Sequence, residues 1–199
     1  AWSYLHRHYL TELVDAAIAK GCCHEFVTYL NYVLSCFPDV SWSNDVFTAA
    51  ERQAMLAFSF GHWKETGPYL KGYLALTLKR AGRDRDARLV WDSVMDSAKT
   101  VMDQGTFWAP EDRAWLWYND TIQTHAFALR TLMEMDPQST KLDGLVLWLF
   151  LNKKMNHWKS TRATAEVIYS LAHYLKKTGQ LAIRETATVE VGGQTTRFV

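Results

Sequence analysis

The densest set of nucleophilic and metal-ligating side chains in the chain is the run Gly21-Cys22-Cys23-His24-Glu25. Soft-metal chemistry would need several of these groups on one ion. Neighbours on an α-helix diverge by about 100°, so they converge poorly, and no second CxxC or HxxxH supplies further ligands. Cys22, Cys23 and Cys36 form an odd set that cannot build a disulfide framework. Cys22 and Cys23 read instead as ordinary buried cysteines near a helix start. His6, His8, His62, His125, His157 and His173 stand without a visible nucleophile, since there is no G-x-S-x-G, P-loop or G-x-G-x-x-G. Each reads as a surface or hydrogen-bonded core histidine.

A second candidate is the aromatic stretch from Gly105 to Tyr118, which holds Phe107, Trp108, Pro110, Trp115, Trp117 and Tyr118 and is flanked by Glu111, Asp112, Asn119 and Asp120. Carboxylates beside Trp and Tyr at the mouth of a helical barrel could bind or hydrolyse a sugar. The plainer reading is capping and loop solvation, because Asp120-x-x-Gln123 has the spacing of a helix start. Most of the nine tryptophans are expected to fill gaps between helices. Trp108, Trp115, Trp117 and Tyr118 are the exception, and are expected to form a protein-contact surface. No catalytic, cofactor-binding or metal-binding residue is assigned.

Helices must position these groups, because the apolar spacing is helical nearly throughout. Leu70, Tyr73, Leu74, Thr77, Leu78 and Ala81 make one stripe, and Ala87, Val90, Trp91, Val94, Ala98 and Val101 another. Leu10, Leu13, Val14, Ala17 and Ile18 make an earlier one, followed by Phe26, Tyr29, Leu30 and Val33. Later come Ile122, Ala126, Leu129 and Met133, then Val167, Ile168, Leu171 and Leu175. Residues 142–151 are apolar on nearly every side, which predicts an inner helix packed all round. Thr48-x-x-Glu51 has capping-box spacing, and Gly21, Gly82 and Gly179 sit where helices should stop. Leu74-Ala75-x-x-Leu78-Lys79-Arg80-Ala81-Gly82 is echoed by Leu171-Ala172-x-x-Leu175-Lys176-Lys177-Thr178-Gly179, which suggests repeated helical hairpins. After Gln180 the period changes to two: Thr186, Thr188 and Glu190 alternate with Ala187, Val189 and Val191 before Gly192-Gly193, predicting a strand and turn.

The 199 residues, 48% hydrophobic, suffice for one sizeable core of roughly eight helices. With 22 basic against 21 acidic side chains there is no field to favour nucleic acid or an anionic membrane. No apolar run is long enough to span a bilayer. Ala1-Trp2-Ser3-Tyr4-Leu5 and Thr195-Thr196-Arg197-Phe198-Val199 both read as cuts within a longer polypeptide.

One stretch goes beyond generic helix. Leu147-Trp148-Leu149 is followed by Asn152-Lys153-Lys154, then Trp158-Lys159-Ser160-Thr161-Arg162-Ala163-Thr164-Ala165, then Ile168-Tyr169-Ser170-Leu171. This resembles the end of the helical thioester domain of the alpha-2-macroglobulin family. There a W-L-x-x-Q/K helix leads through an aromatic-Ser/Thr-Thr-x-x-Thr turn into a helix ending in A-L-x-x-Y. Upstream, Asp120 to Leu129 is similar to the family's preceding inner helix, and Trp115 to Tyr118 sits where bacterial members carry an aromatic run. The match covers about residues 107–193.

The resemblance implies an all-α fold, an α/α toroid of helical hairpins, incomplete here. Residues 1–180 would form the toroid fragment, and 181–199 a strand leading into a following β domain. It implies a bacterial protease inhibitor or trap that is periplasmic, surface-anchored or secreted. Its partners would be neighbouring β-sandwich domains and target proteases, with no nucleic acid and no membrane insertion. Thioester-bearing members carry Gly-Cys-x-Glu-Gln. Here Gly21-Cys22 is followed by Glu25 one place late, with no Gln, so the motif is absent from this chain. Two rival expectations stand beside this one. The first is an α/α-barrel carbohydrate-active enzyme using acids near the loop at 107–120, which needs paired carboxylates facing one cleft. The second is a helical-repeat scaffold that binds peptide on its concave face.

Overall fold

The computed structural model describes residues 2–41, 46–108, 120–180, 187–191 and 194–198. The chain opens with a helical run made of α1 (Trp2–Leu5), a π-helical segment (His6–Val14) and α2 (Asp15–Lys20). Then come α3 (His24–Ser35), the short α4 (Pro38–Ser41) and α5 (Ala49–Gly61). They are followed by α6 (Pro68–Arg80), α7 (Asp84–Asp96), the hairpin β1 (Lys99–Val101) and β2 (Gly105–Phe107), and α8 (Thr121–Met135). The series closes with α9 (Lys141–Leu151), α10 (Thr161–Lys177) and a second antiparallel hairpin, β3 (Ala187–Val191) with β4 (Gln194–Phe198). The all-α class expected from the sequence is the class found, with strands confined to two small hairpins among the described residues.

The helices form two layers. α3, α6, α8 and α10 pack side by side in that order, while α5, α7 and α9 pack behind α3, α6 and α8 respectively. Burial follows the layers. Tyr69, Leu70 and every residue from Gly72 to Leu78 of α6 are buried, as is nearly all of α8. The outer helix α7 buries one stripe, Ala87, Val90, Trp91, Val94 and Met95. One large core joins α6 to α10, and a smaller one joins the N-terminal run, α3 and α5 through Leu10, Val14, Val27, Leu30, Leu34, Phe47 and Met55.

Local signals set the boundaries. Thr48 and Glu51 make the full reciprocal capping box. The echoed helix ends terminate alike, with Gly82 and Gly179 at positive φ. In the N-terminal run the Asp15 N–H reaches back to the Leu10 carbonyl, a π-type bond. This widens the apolar spacing, so Leu10 and Val14 are buried while Leu13 turns outward at 50% exposure.

Three expectations are corrected. The helix packed on nearly all sides is α8. In α9, which spans the apolar run, only Leu142, Leu145 and Leu149 are buried, while Phe150 and Leu151 are 53% and 56% exposed. Position in the layers decides burial here, and two polar side chains of α8 meet it by bonding backward along the helix, Thr131 to Phe127 O and His125 to Thr121 O. The stripe ending in Val101 overruns its helix, since α7 stops at Asp96 and Val101 lies in β1. Ile168, assigned to the α10 stripe, is 56% exposed.

Candidate functional site

The concave face shared by α3, α6, α8 and α10 holds a cavity of about 260 Å³ lined by Tyr32, Arg80, Phe127, Arg130, Glu134 and Tyr169, among others. Helical spacing brings these groups together: Arg130 and Glu134 stand one turn apart on α8, and Phe127 one turn before Arg130. Arg80, in the last turn of α6, pairs with Glu134 at 3.4 Å and donates to Ser35 Oγ at 3.0 Å. Arg130 pairs with Glu166 of α10 and lies over the rings of Phe127 and Tyr169, at 5.1 and 4.9 Å. Lys177 donates to the Met133 carbonyl at the end of α8.

An aromatic cluster supports this face from below. The Tyr69 and Tyr73 hydroxyls meet at 2.5 Å, Tyr32 stacks on Tyr73, and Phe127 stands edge-on to Tyr73 at 4.4 Å. Burial, followed by the neighbouring Tyr69, pushes the Tyr73 phenol far above its ordinary range. Burial raises Tyr32 likewise. Both rings are therefore neutral packing and hydrogen-bonding groups. The carboxylates Glu134 and Glu166 are each engaged by a guanidinium. This is an arrangement of fixed, compensated charges, suited to polar and aromatic contact with another surface.

A second polar centre lies just past β2, where Trp108 meets α8. His125 is fully buried and stacked on Trp148 at 3.6 Å. Its Nδ1 sits 2.6 Å from the Thr121 carbonyl and its Nε2 accepts the Trp108 backbone N–H at 3.1 Å. The two contacts fix the neutral tautomer with the proton on Nδ1. Burial lowers its pKa to about 4, against the weaker opposing pull of the Thr121 carbonyl. His125 is thus a hydrogen-bonded core histidine, one of the two kinds expected.

Trp108 departs from the surface role expected of it. It is 5% exposed, and its indole N–H donates to the Val94 carbonyl and to Ser97 Oγ, closing the core behind α7. The rest of that expected contact surface, Trp115, Trp117 and Tyr118, lies outside the described residues, as do Glu111, Asp112 and Asn119. Asp120 is described. Its Oδ1 caps the Gln123 N–H at 2.9 Å and its Oδ2 pairs with Lys159 at 2.7 Å, so both oxygens are engaged.

The Trp158 motif is a helix-start device. Ser160 caps the Ala163 N–H, the Trp158 backbone N–H donates to Thr164 Oγ1, and the Trp158 indole reaches the Leu149 carbonyl. With Lys159 on Asp120, it ties the start of α10 to α8 and α9.

Cys22, Cys23 and Cys36 are free thiols, and the burial expected of the first two is corrected: Cys22 is half-buried and Cys23 exposed, because they lie in the link between α2 and α3 and not on a packed helix face. Among the described residues, no group of three or more His, Cys, Asp or Glu side chains is placed to hold one ion. Among the described residues, no helix is long and apolar enough to cross a membrane.

Reading the sequence alone missed the concave face. Its ion pairs join residues 54 and 36 positions apart, and periodicity cannot register such distances. The available signal was charge on otherwise buried stripes, Arg130 amid Phe127, Leu129 and Thr131 above all.

Fold and site together define an all-α, two-layered helical domain with an ion-paired concave face. No family model matches the sequence, and no curated protein is matched by it.

Proposed function

We propose that this chain is a structural and interaction domain, the later part of the helical toroid of a bacterial alpha-2-macroglobulin-like protease inhibitor. It has no thioester motif of its own. The observation that carries the reading is the alternation in chain order between α3, α6, α8 and α10 in one layer and α5, α7 and α9 behind them. This is the arrangement that successive helical hairpins make when they curve around an axis.

Two further features support it. The ordered motif around Trp158 does local work, since each polar group in it holds the start of α10. The outer face of α9 leaves Leu147, Phe150 and Leu151 uncovered within the chain, as a site for a neighbouring domain would. In this role the domain is a rigid disc held against β-sandwich neighbours in an extracytoplasmic inhibitor. In that role it contributes no residue to a reaction on the protease, and its partners are those neighbours and, through the whole protein, target proteases.

The test uses the whole protein encoded around this chain, incubated with an endopeptidase. An inhibitor that traps is expected to abolish cleavage of a large protein substrate while sparing cleavage of a small peptide. Methylamine-sensitive thiol release would add that the trap is covalent through a thioester elsewhere in the polypeptide. Undiminished cleavage of the large substrate at saturating ratios, with no β-sandwich domains in the adjoining coding region, would overturn the reading.

A further inference from the structure

Cys22 and Cys23 are the last two residues of the three-residue link between α2 and α3, and both backbones are anchored. The Cys22 N–H closes the end of α2 on the Ala17 carbonyl at 3.0 Å, with Gly21 left-handed beside it. The Cys23 carbonyl accepts from the Phe26 and Val27 N–H groups, which starts α3. To join the two helices, Cys23 itself adopts the left-handed region, φ 57° and ψ 29°, which non-glycine residues seldom do. The run is therefore not helical, and the divergence expected of helical neighbours does not arise. The two sulfurs face each other at 3.4 Å, with Cys23 exposed and Cys22 half-buried.

We propose that Cys22 and Cys23 form a vicinal dithiol that undergoes thiol–disulfide exchange with small disulfides. The Cys23 S–H donates to Cys22 Sγ, and Cys22 is assigned the first attack. That neighbour also raises the pKa of Cys23, first through the hydrogen bond and then through its charge. The Cys22 thiolate attacks one sulfur of the disulfide, forms a mixed disulfide and releases the first small thiol. Cys23 then attacks Cys22 Sγ, the mixed disulfide breaks, and the second small thiol leaves. Two electrons pass from the protein thiols to the incoming disulfide. The two thiol protons leave on the released thiols, and one bond joins Cys22 to Cys23.

Adjacent Cα atoms lie about 3.8 Å apart, shorter than the span of roughly 4.4–6.8 Å that relaxed disulfides prefer. The ring formed is strained, so reduction reverses it readily and the pair works as an exchange site instead of a permanent cross-link. This inference is independent of the inhibitor reading. It rests only on the link between α2 and α3.

The test uses the full chain with Cys36→Ser, which leaves only this pair, treated with excess 2-hydroxyethyl disulfide and read by intact mass. The expected product has lost two hydrogens, carries no adduct and returns to its starting mass with dithiothreitol. Adding Cys22→Ser or Cys23→Ser should instead leave a stable adduct on the remaining thiol, which shows that its partner performs the second step. Adducts retained on both thiols, disulfide-linked dimers, or an unchanged mass while denatured chain reacts would each overturn the proposal. Circular dichroism of each variant, matched to the parent chain, guards against a change of fold.

Discussion

Gly105 and Gly144 meet without side chains: a Cβ on Gly105 would lie 2.2 Å from the Gly144 carbonyl oxygen, and one on Gly144 would lie 2.2 Å from Thr106 Oγ1. This contact seats β2 directly on α9, and Gly105 also needs its positive φ of 83°. Gly144→Ala is expected to destabilise the fold by about 1–3 kcal/mol through overpacking, and Gly105→Ala by more, since it adds backbone strain. Urea unfolding of the two variants checks both magnitude and order.

His125 should make stability depend on pH. Its folded pKa of about 4 lies below the unfolded value, so between the two the unfolded chain binds a proton that the folded chain does not. The stability it contributes is full above the unfolded pKa of about 6.5 and is lost as pH falls through 4, on the order of 3 kcal/mol in all. Relative to His125→Gln, the wild-type chain should show a steeper fall in unfolding free energy across that window, by up to one proton. Equal slopes would mean that His125 is not buried and neutral.

The two ion pairs of the concave face should differ. Arg130 and Glu166 have side chains 18% and 28% exposed, and Arg130→Met leaves a partly buried carboxylate, an expected loss of about 2 kcal/mol. Glu134 is 40% exposed, and Glu134→Gln should cost less than about 1 kcal/mol. A double-mutant cycle on each pair, read by denaturant midpoints, separates the two.

The start of α10 offers another test. Ser160→Ala removes one cap at about 1 kcal/mol. Thr164→Val should cost more, roughly 1–3 kcal/mol, because it also orphans the Trp158 N–H. Thermal melts of the single and double variants report whether the two groups act as one device.

On the outer face of α9, the paired change Phe150→Ser with Leu151→Ser should move stability by no more than about 0.5 kcal/mol, because both side chains project from the core. Sedimentation should show less self-association of the chain at high concentration, since an uncovered apolar patch drives it. An unchanged sedimentation profile would show that the patch is inert.

Much of this architecture is legible from residues i, i+3 and i+4. The α6 stripe as far as Leu78, the α7 stripe as far as Val94, the Thr48–Glu51 box and the paired stops at Gly82 and Gly179 stand where spacing puts them. The errors share one cause, which is that periodicity reports which face is apolar but not what will cover it. Residues 142–151 are more apolar than α8, yet α8 carries helices on both flanks and α9 has an open side. Trp108 reads as a surface aromatic only until Val94 and Ser97, from another element, supply partners for its N–H. The concave face was least legible, because four helices contribute to it and no single helix displays it.

α3 belongs to both cores, giving Val27, Leu30 and Leu34 to the smaller one and Tyr29 and Tyr32 to the edge of the larger. Amide protons in α3 can therefore exchange with solvent only when both bodies open, whereas those in the helical run before it need only the smaller body to open. The shared helix makes two packing units cooperative, and a local opening at the N-terminal end is felt at the concave face through Tyr32.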